Sequence, residues 1–227
     1  MSTIVTWFGH ATIGVQTNGY HLVIDPYFSG NPATSADQRQ IKPDFILVSH
    51  GHSDHIGDAV IIAKRTGVSV ICNFEIANWL GKQNIQTHAQ HIGGGHQYPF
   101  GYLKLTQALH GSMLPDCSYG GNPVGFLLTT NQGQKLYFAC DTGLFGDMRL
   151  IGEEGIDLAM LPIGDNFTMG PDDALRAVKL IQPKHVIPIH YNTWGLIAQD
   201  ADAWAQRVQA ETGAQAHVIS PGGTFTL

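Results

Sequence analysis

Hydrophobic residues in the first third of the chain fall in short runs rich in β-branched and aromatic side chains. Ile4–Phe8, Thr12–Gln16 and Tyr20–Ile24 read as strands. Asn18-Gly19 between the second and third predicts a two-residue hairpin, because both central residues of a type I′ turn need positive φ. Asp25-Pro26 ends the third strand. From Tyr27 to Pro43 the chain is polar with little periodicity. A loop of that length in a compact domain is usually functional or disordered, and here it is expected to be a flap over a site.

Beyond Pro43, strand and helix alternate. Phe45–Ser49 and Val68–Cys72 have strand patterns, and Asp58–Arg65 and Glu75–Leu80 have helical ones. A strand at Leu103–Leu109 follows the turn Gly93-Gly94-Gly95. The second half repeats the plan, with strands near Gly125–Thr129, Lys135–Cys140, Asp157–Leu161, His185–Ile189 and His217–Ile219, and helices near Pro171–Ile181 and Asp200–Glu211. Pro171 suits a first helical turn, and Gly213 a position just past a helix end. This pattern predicts two sheets packed face to face with helices outside. Neither a linker nor a charge run interrupts it, so residues 1–227 read as one domain.

Composition narrows the function classes. Charged residues make up 13% of the chain, against roughly 25% in an average protein. Either some surface is buried in a homo-oligomer or a Gly-rich polar surface covers a monomer. The net charge is −6 and the longest basic cluster is Lys64-Arg65, which argues against nucleic acid and anionic membranes as partners. The N-terminus reads as a strand rather than a basic leader, and no run approaches the ~20 apolar residues of a membrane span. A cytoplasmic protein is expected. Cys72, Cys117 and Cys140 are odd in number and show no CxxC spacing, so neither a disulfide framework nor a thiolate zinc site is indicated.

The sharpest local signal is His50-Gly51-His52-Ser53-Asp54-His55, directly after an apolar strand. Neutral imidazole and carboxylate are the usual non-thiolate ligands of zinc and its neighbours. In an extended segment residues two apart share a side, so His50 and His52 can grip one ion while Asp54 and His55 serve another. His110, Asp141 and His190 each follow an apolar strand as His50 does. In layered α/β proteins such strand ends meet along one edge, where loops build the site.

The His-x-His-x-Asp-His motif followed by His110, Asp141 and His190 resembles the metallo-β-lactamase superfamily. Trp7-Phe-Gly-His-Ala-Thr12, Ile24-Asp-Pro26, Ala108-Leu-His-Gly111, Leu161-Pro-Ile-Gly164, Asn166-Phe-Thr-Met-Gly-Pro171 and Pro188-Ile-His190 resemble a family of metal-dependent hydrolases similar to ascorbate-6-phosphate lactonases. The resemblance implies an α/β fold, a four-layer αββα sandwich, with a dinuclear site on one edge. It places His50, His52 and His110 on a first divalent ion and Asp54, His55 and His190 on a second, with Asp141 bridging. Zinc is the first choice of metal, with manganese, iron, cobalt and nickel also suited to such a site. It also places His10 near the metals, where it could touch substrate.

The expected mechanism is attack by a hydroxide shared between the ions on a carbonyl or phosphoryl centre, with Asp54 as a catalytic proton shuttle. The expected substrate is a small ester, lactone or amide. A phosphodiesterase and a metal-binding protein without turnover are the alternatives; a di-iron redox protein fits less well, because flavodiiron proteins carry Glu where His52 stands. The loops Tyr27–Pro43, Gly111–Pro123, Thr142–Arg149, Gly164–Gly170 and Tyr191–Ala198 are expected to line the pocket; they hold only Arg39, Lys42 and Arg149 as cations. Asp25 is expected to support a metal-binding His, Asp165 and Asn166 to orient substrate or cap a turn, and Cys140 to pack in the core. His21, His88, His91, His96, His185 and His217 are expected to be structural or at the surface.

Overall fold

The computed structural model describes residues 2–227. The strands are β1 (Ile4–Trp7), β2 (Ile13–Thr17), β3 (Tyr20–Ile24), β4 (Phe45–Leu47), β5 (Ser69–Asn73), β6 (Thr87–Gln90), β7 (Gly95–Tyr98), β8 (Gly101–Gln107), β9 (Val124–Thr130), β10 (Lys135–Phe138), β11 (Leu158–Pro162), β12 (His185–Ile189), β13 (Gln215–Ala216) and β14 (Thr224–Thr226). The helices are α1 (Ser53–Ile56), α2 (Ala59–Thr66), α3 (Phe74–Gly81), α4 (Met148–Gly152), α5 (Pro171–Ile181) and α6 (Ala201–Glu211). Two seven-stranded sheets run β14-β1-β2-β3-β4-β5-β6 and β13-β12-β11-β10-β9-β8-β7.

Strand alternation sorts the core. Val5, Trp7, Ile13, Val15, Leu22, Ile24, Leu47 and Ile71 join one apolar cluster with Leu103, Leu105, Phe126 and Phe138 of the opposite sheet. Val23, Ile46, Val70 and Cys72 point the other way and pack against Ala59, Ile62, Ile76 and Leu80 of α2 and α3. The middle of the second sheet is buried on both faces, as its continuous apolar strands Leu158–Pro162 and His185–Ile189 require. The fold is an αββα sandwich. Among the described residues no helix is long and apolar enough to cross a membrane.

Local signals explain the best-placed elements. Asn18 and Gly19 have φ of 50° and 80°, as the primed hairpin turn demands. In α5, Pro171 opens the helix, Asp172 and Asp173 sit in its first turn, and Ala174, Leu175, Ala177, Val178 and Ile181 form the buried stripe. Asp200 caps α6 by accepting from the Ala203 N–H at 2.9 Å.

Other expectations fail for physical reasons. His217–Ile219 is not a strand: β13 ends at Ala216, and the chain turns at Ser220–Gly223 so that β14 pairs with β1 in the other sheet. Edge strands β6 and β7 are too polar to show alternation, and α1 and α4 too short to show a period. The stretch Tyr27–Pro43 is not a flap. Phe28 is buried in the α2–α3 layer, Asp58 accepts from the Phe28 and Ser29 N–H groups at 2.9 and 2.7 Å, and Arg65 donates to the Gln38 and Ile41 carbonyls, both at 2.7 Å. Backbone contacts hold this segment down on α2.

Candidate metal centre

Strand direction assembles the site. β1, β3 and β4 are mutually parallel, as are β8, β10, β11 and β12, through the pairings within each sheet. Their C-terminal ends deliver His10, Asp25 and His50 from one sheet and His110, Asp141 and His190 from the other. Four of the residues just past strand ends, His10, Asp25, Cys140 and His190, hold φ between 47° and 55°. Non-glycine residues adopt that region only at a cost, and such strain clusters at functional sites. The Leu109 N–H donates to Thr142 Oγ1 and its carbonyl accepts from the Gly143 N–H, both at 2.9 Å, which ties the His110 loop to the Asp141 loop. Gly51 is a close-approach position: a Cβ there would meet the Met113 backbone at 3.0 Å.

Seven residues singled out in the sequence converge. His50 Nε2 lies 3.0 Å from His52 Nδ1, which lies 3.3 Å from His110 Nε2. Asp141 Oδ2 lies 3.2 Å from His55 Nε2, 3.1 Å from His190 Nε2 and 3.5 Å from His110 Nε2. Asp54 Oδ2 is 3.9 Å from His55 Nε2. Donor atoms of His50, His52 and His110 form one group, and those of Asp54, His55, His190 and His10 form another.

Burial sets the electrostatics. Desolvation pushes the Asp141 carboxyl up, but His190 and His55 outweigh it and hold the group well below the usual carboxylate range. Asp54 behaves likewise: burial raises it, and its hydrogen bond from His10 and the charge of His55 bring it below the ordinary value. Burial, followed by His55, holds His50 well below a normal histidine. His55 is raised well above its usual value despite burial, because Asp141 and Asp25 flank it.

Hydrogen bonds to the outer nitrogens fix the tautomers. Ser49 Oγ donates to Asp25 Oδ2 at 2.6 Å, so it accepts from His50 Nδ1 at 2.9 Å, leaving the His50 Nε2 lone pair for the cluster. Asp25 Oδ2 also accepts from His55 Nδ1 at 2.9 Å. A divalent cation fits this arrangement. His55 Nε2, Asp141 Oδ1 and both His190 ring nitrogens are buried without a hydrogen-bond partner, a condition native cores rarely tolerate. The cluster contains no thiol, consistent with a hard or borderline metal; Cys140 is buried, and burial pushes its thiol well above its ordinary value.

A cavity of about 470 Å³ opens onto this cluster, lined by Tyr27, His52, Ser53, Asp54, His110, Asp141, Phe167, His190, Trp194 and Leu196. Of the large apolar side chains on the loops expected there, Tyr27, Phe167, Trp194 and Leu196 reach the wall. Phe28, Leu114, Met169 and Tyr191 are core residues, and Met113 and Tyr119 are exposed and pair as a β-bridge. The loops Gly111–Pro123 and Thr142–Arg149 contribute nothing to the wall, nor do Arg39, Lys42 and Arg149. His10 is fully buried behind the wall, not on it. Asp165 and Asn166 shape a turn, in which Asp165 Oδ1 accepts from the Asn166 N–H at 2.9 Å. Ser49 was not anticipated, and Thr193 and Leu196 only as part of the loop Tyr191–Ala198; the position of Ser49 beside His50 was the one available hint. The histidines set aside as structural include two pairs, His185–His217 at 3.0 Å between ring nitrogens and His88–His96 with ring centroids 4.4 Å apart.

Two sheets, flanking helices and a His/Asp cluster on one edge define the metallo-β-lactamase fold. Residues 20–191 match the family model described as a beta-lactamase superfamily domain. The chain is 48% identical over 223 residues to a UPF0173 metal-dependent hydrolase of Desulforamulus reducens, covering 96% of this chain and 97% of that one. A relative of the same name from Bacillus cytotoxicus is 47% identical over 229 residues, covering 98% and 99%. Among solved structures, Igni18, a metallo hydrolase from the archaeon Ignicoccus hospitalis, aligns with a TM-score of 0.92 at 35% identity, covering 100% of this chain and 99% of that one. The chain belongs to the UPF0173 metal-dependent hydrolases.

Proposed function

We propose that this hydrolase works with two divalent cations, one held by His50, His52 and His110 and the other by Asp54, His55 and His190, with Asp141 between them. The observation that carries this reading is the position of Asp141 Oδ2, within 3.5 Å of a nitrogen from the first group and within 3.2 Å of two from the second. When bound, such cations lower the pKa of water and polarise a carbonyl or phosphoryl oxygen.

The residues of the chain supply the rest. Burial, the largest cause for both, lowers His50 and His110 below a normal histidine and so leaves their lone pairs free for a cation, while His190 and His55 keep Asp141 ionised against its burial. Asp54, a quarter exposed on the cavity wall, is held below the normal carboxylate range. That suits it to a cation more than to carrying a proton, so the shuttle expected from the sequence is its lesser role. Tyr27, Phe167, Trp194 and Leu196 form an apolar wall with no Lys or Arg among the described lining residues. A wall of this kind favours an uncharged ester, lactone or amide, because phosphodiester sites normally offer Arg or Lys to the phosphate oxygens.

Elemental analysis of the purified protein, followed by a panel of neutral lactones, aryl esters, amides and phosphodiesters at equal zinc loading, tests the proposal. It expects two equivalents of metal and hydrolysis of a neutral substrate that a chelator abolishes. One equivalent, or cleavage confined to phosphodiesters, would refute it.

A further inference from the structure

The His10 ring is sealed from the cavity and bonded at both nitrogens. Its Nε2 lies 3.1 Å from Asp54 Oδ2 and its Nδ1 lies 2.8 Å from Thr193 Oγ1, with His10 fully buried. A carboxylate only accepts, so Nε2 must carry the proton, and Nδ1 is then an acceptor for the Thr193 hydroxyl. The chain Thr193 O–H to His10 to Asp54 has one consistent direction.

The backbone shows how firmly this ring is placed. His10 has φ of 55°, and its carbonyl accepts from the Trp7 indole N–H at 2.9 Å and from the His190 N–H at 2.8 Å. Gly9 before it has φ of 103°, and a Cβ there would meet the Ala33 carbonyl oxygen at 2.8 Å. The His10 ring also packs 4.0 Å from the His190 ring, centroid to centroid. Thr193 comes from the loop that carries His190, Trp194 and Leu196, so one segment supplies a cluster residue, the cavity wall and the anchor of this hydrogen-bond chain.

We propose that His10 is a positioning residue for Asp54, and that Thr193 sets its tautomer. By taking Oδ2, the His10 N–H fixes the rotation of the Asp54 carboxylate, so that its remaining lone pairs face His55 and His190. The inference rests on the reading that Asp54 helps hold the second cation. Without the Thr193 hydroxyl the His10 ring can carry its proton on Nδ1, and its Nε2 lone pair then opposes the carboxylate. Partners of this kind, one shell out from the ion, typically change metal affinity about 10–100-fold when lost.

The test measures zinc binding to the metal-depleted full chain by competition with a chromophoric chelator. Thr193→Val should weaken the second zinc equivalent about tenfold or more and leave the first within about twofold, with Thr193→Ser restoring the wild-type value. Imidazole ¹⁵N spectra of the zinc-loaded protein should show His10 protonated on Nε2, with that preference lost in Thr193→Val. Equal weakening of both equivalents, unchanged binding, or a His10 proton on Nδ1 in the wild type would overturn the proposal. Asp54→Ala separates the two readings. If it loses the second equivalent while Thr193→Val does not, only the positioning role fails; if it keeps both equivalents, the role of Asp54 at the cation fails and the positioning role with it.

Discussion

Asp25 Oδ2 meets His55 Nδ1 at 2.9 Å, with neither side chain exposed to solvent. The same oxygen accepts from Ser49 Oγ, which accepts in turn from His50. One carboxylate outside the cluster therefore orients a histidine in each half of it. Asp25→Asn should weaken both zinc equivalents, each by about 10–100-fold. Chelator competition checks this, and loss confined to one equivalent would limit Asp25 to a single histidine.

The strained turn before His10 gives a stability prediction. At Gly9, alanine meets both a positive φ and the Ala33 carbonyl. Gly9→Ala should cost about 1–3 kcal/mol in chemical denaturation. A cost near zero would mean that the turn relaxes freely.

The cavity wall bears on specificity. Phe167 is half exposed, and it lines the cavity together with Trp194. If they cover an apolar part of the substrate, Phe167→Ala should raise KM for a neutral aryl ester about tenfold, about 1.4 kcal/mol of lost burial. Arg39→Ala should be silent toward bis(p-nitrophenyl) phosphate, since Arg39 is held by Asp37 at 2.6 Å and does not reach the cavity. A loss of phosphodiesterase activity in Arg39→Ala would contradict this placement.

Much of the site was legible because metal chemistry confines it to few residue types at tight spacing. His50, His52, Asp54 and His55 fall within six residues, and His110, Asp141 and His190 each close an apolar run. The layered fold followed from strand and helix periods, and α5 was placed to the residue because Pro171, its acidic first turn and its buried stripe agree. Polar edge strands and one-turn helices carry too weak a period to read, and the failures near the site depend on contacts distant in sequence. Nothing local distinguishes Phe28 or Met169, which are buried, from Phe167 or Leu196, which are not. The link from Thr193 to His10 spans 183 positions, and the Tyr27–Pro43 stretch looked loose because its partners Asp58 and Arg65 lie at the cap and in the last turn of a later helix.

Away from the metal centre, His217 pairs with His185, and burial, followed by the charge of His185, lowers it below the ordinary histidine value. In the unfolded chain His217 protonates near pH 6.5. The folded state resists that proton, so this group's contribution is complete above about pH 6.5 and is lost as pH falls through the lowered value. Proton NMR titration should show His217 below a normal histidine, and His185→Phe should raise it toward normal. A His217 titrating at or above the ordinary value would contradict the packing at this edge.

The central claim is that Asp141 serves two ions at once. Zinc stoichiometry and affinity of Asp141→Ala, measured beside His110→Ala and His190→Ala, test it most directly. The account predicts that Asp141→Ala weakens both equivalents together, while His110→Ala weakens mainly the first and His190→Ala mainly the second. Two zinc ions per chain held by Asp141→Ala with near wild-type affinity would contradict it.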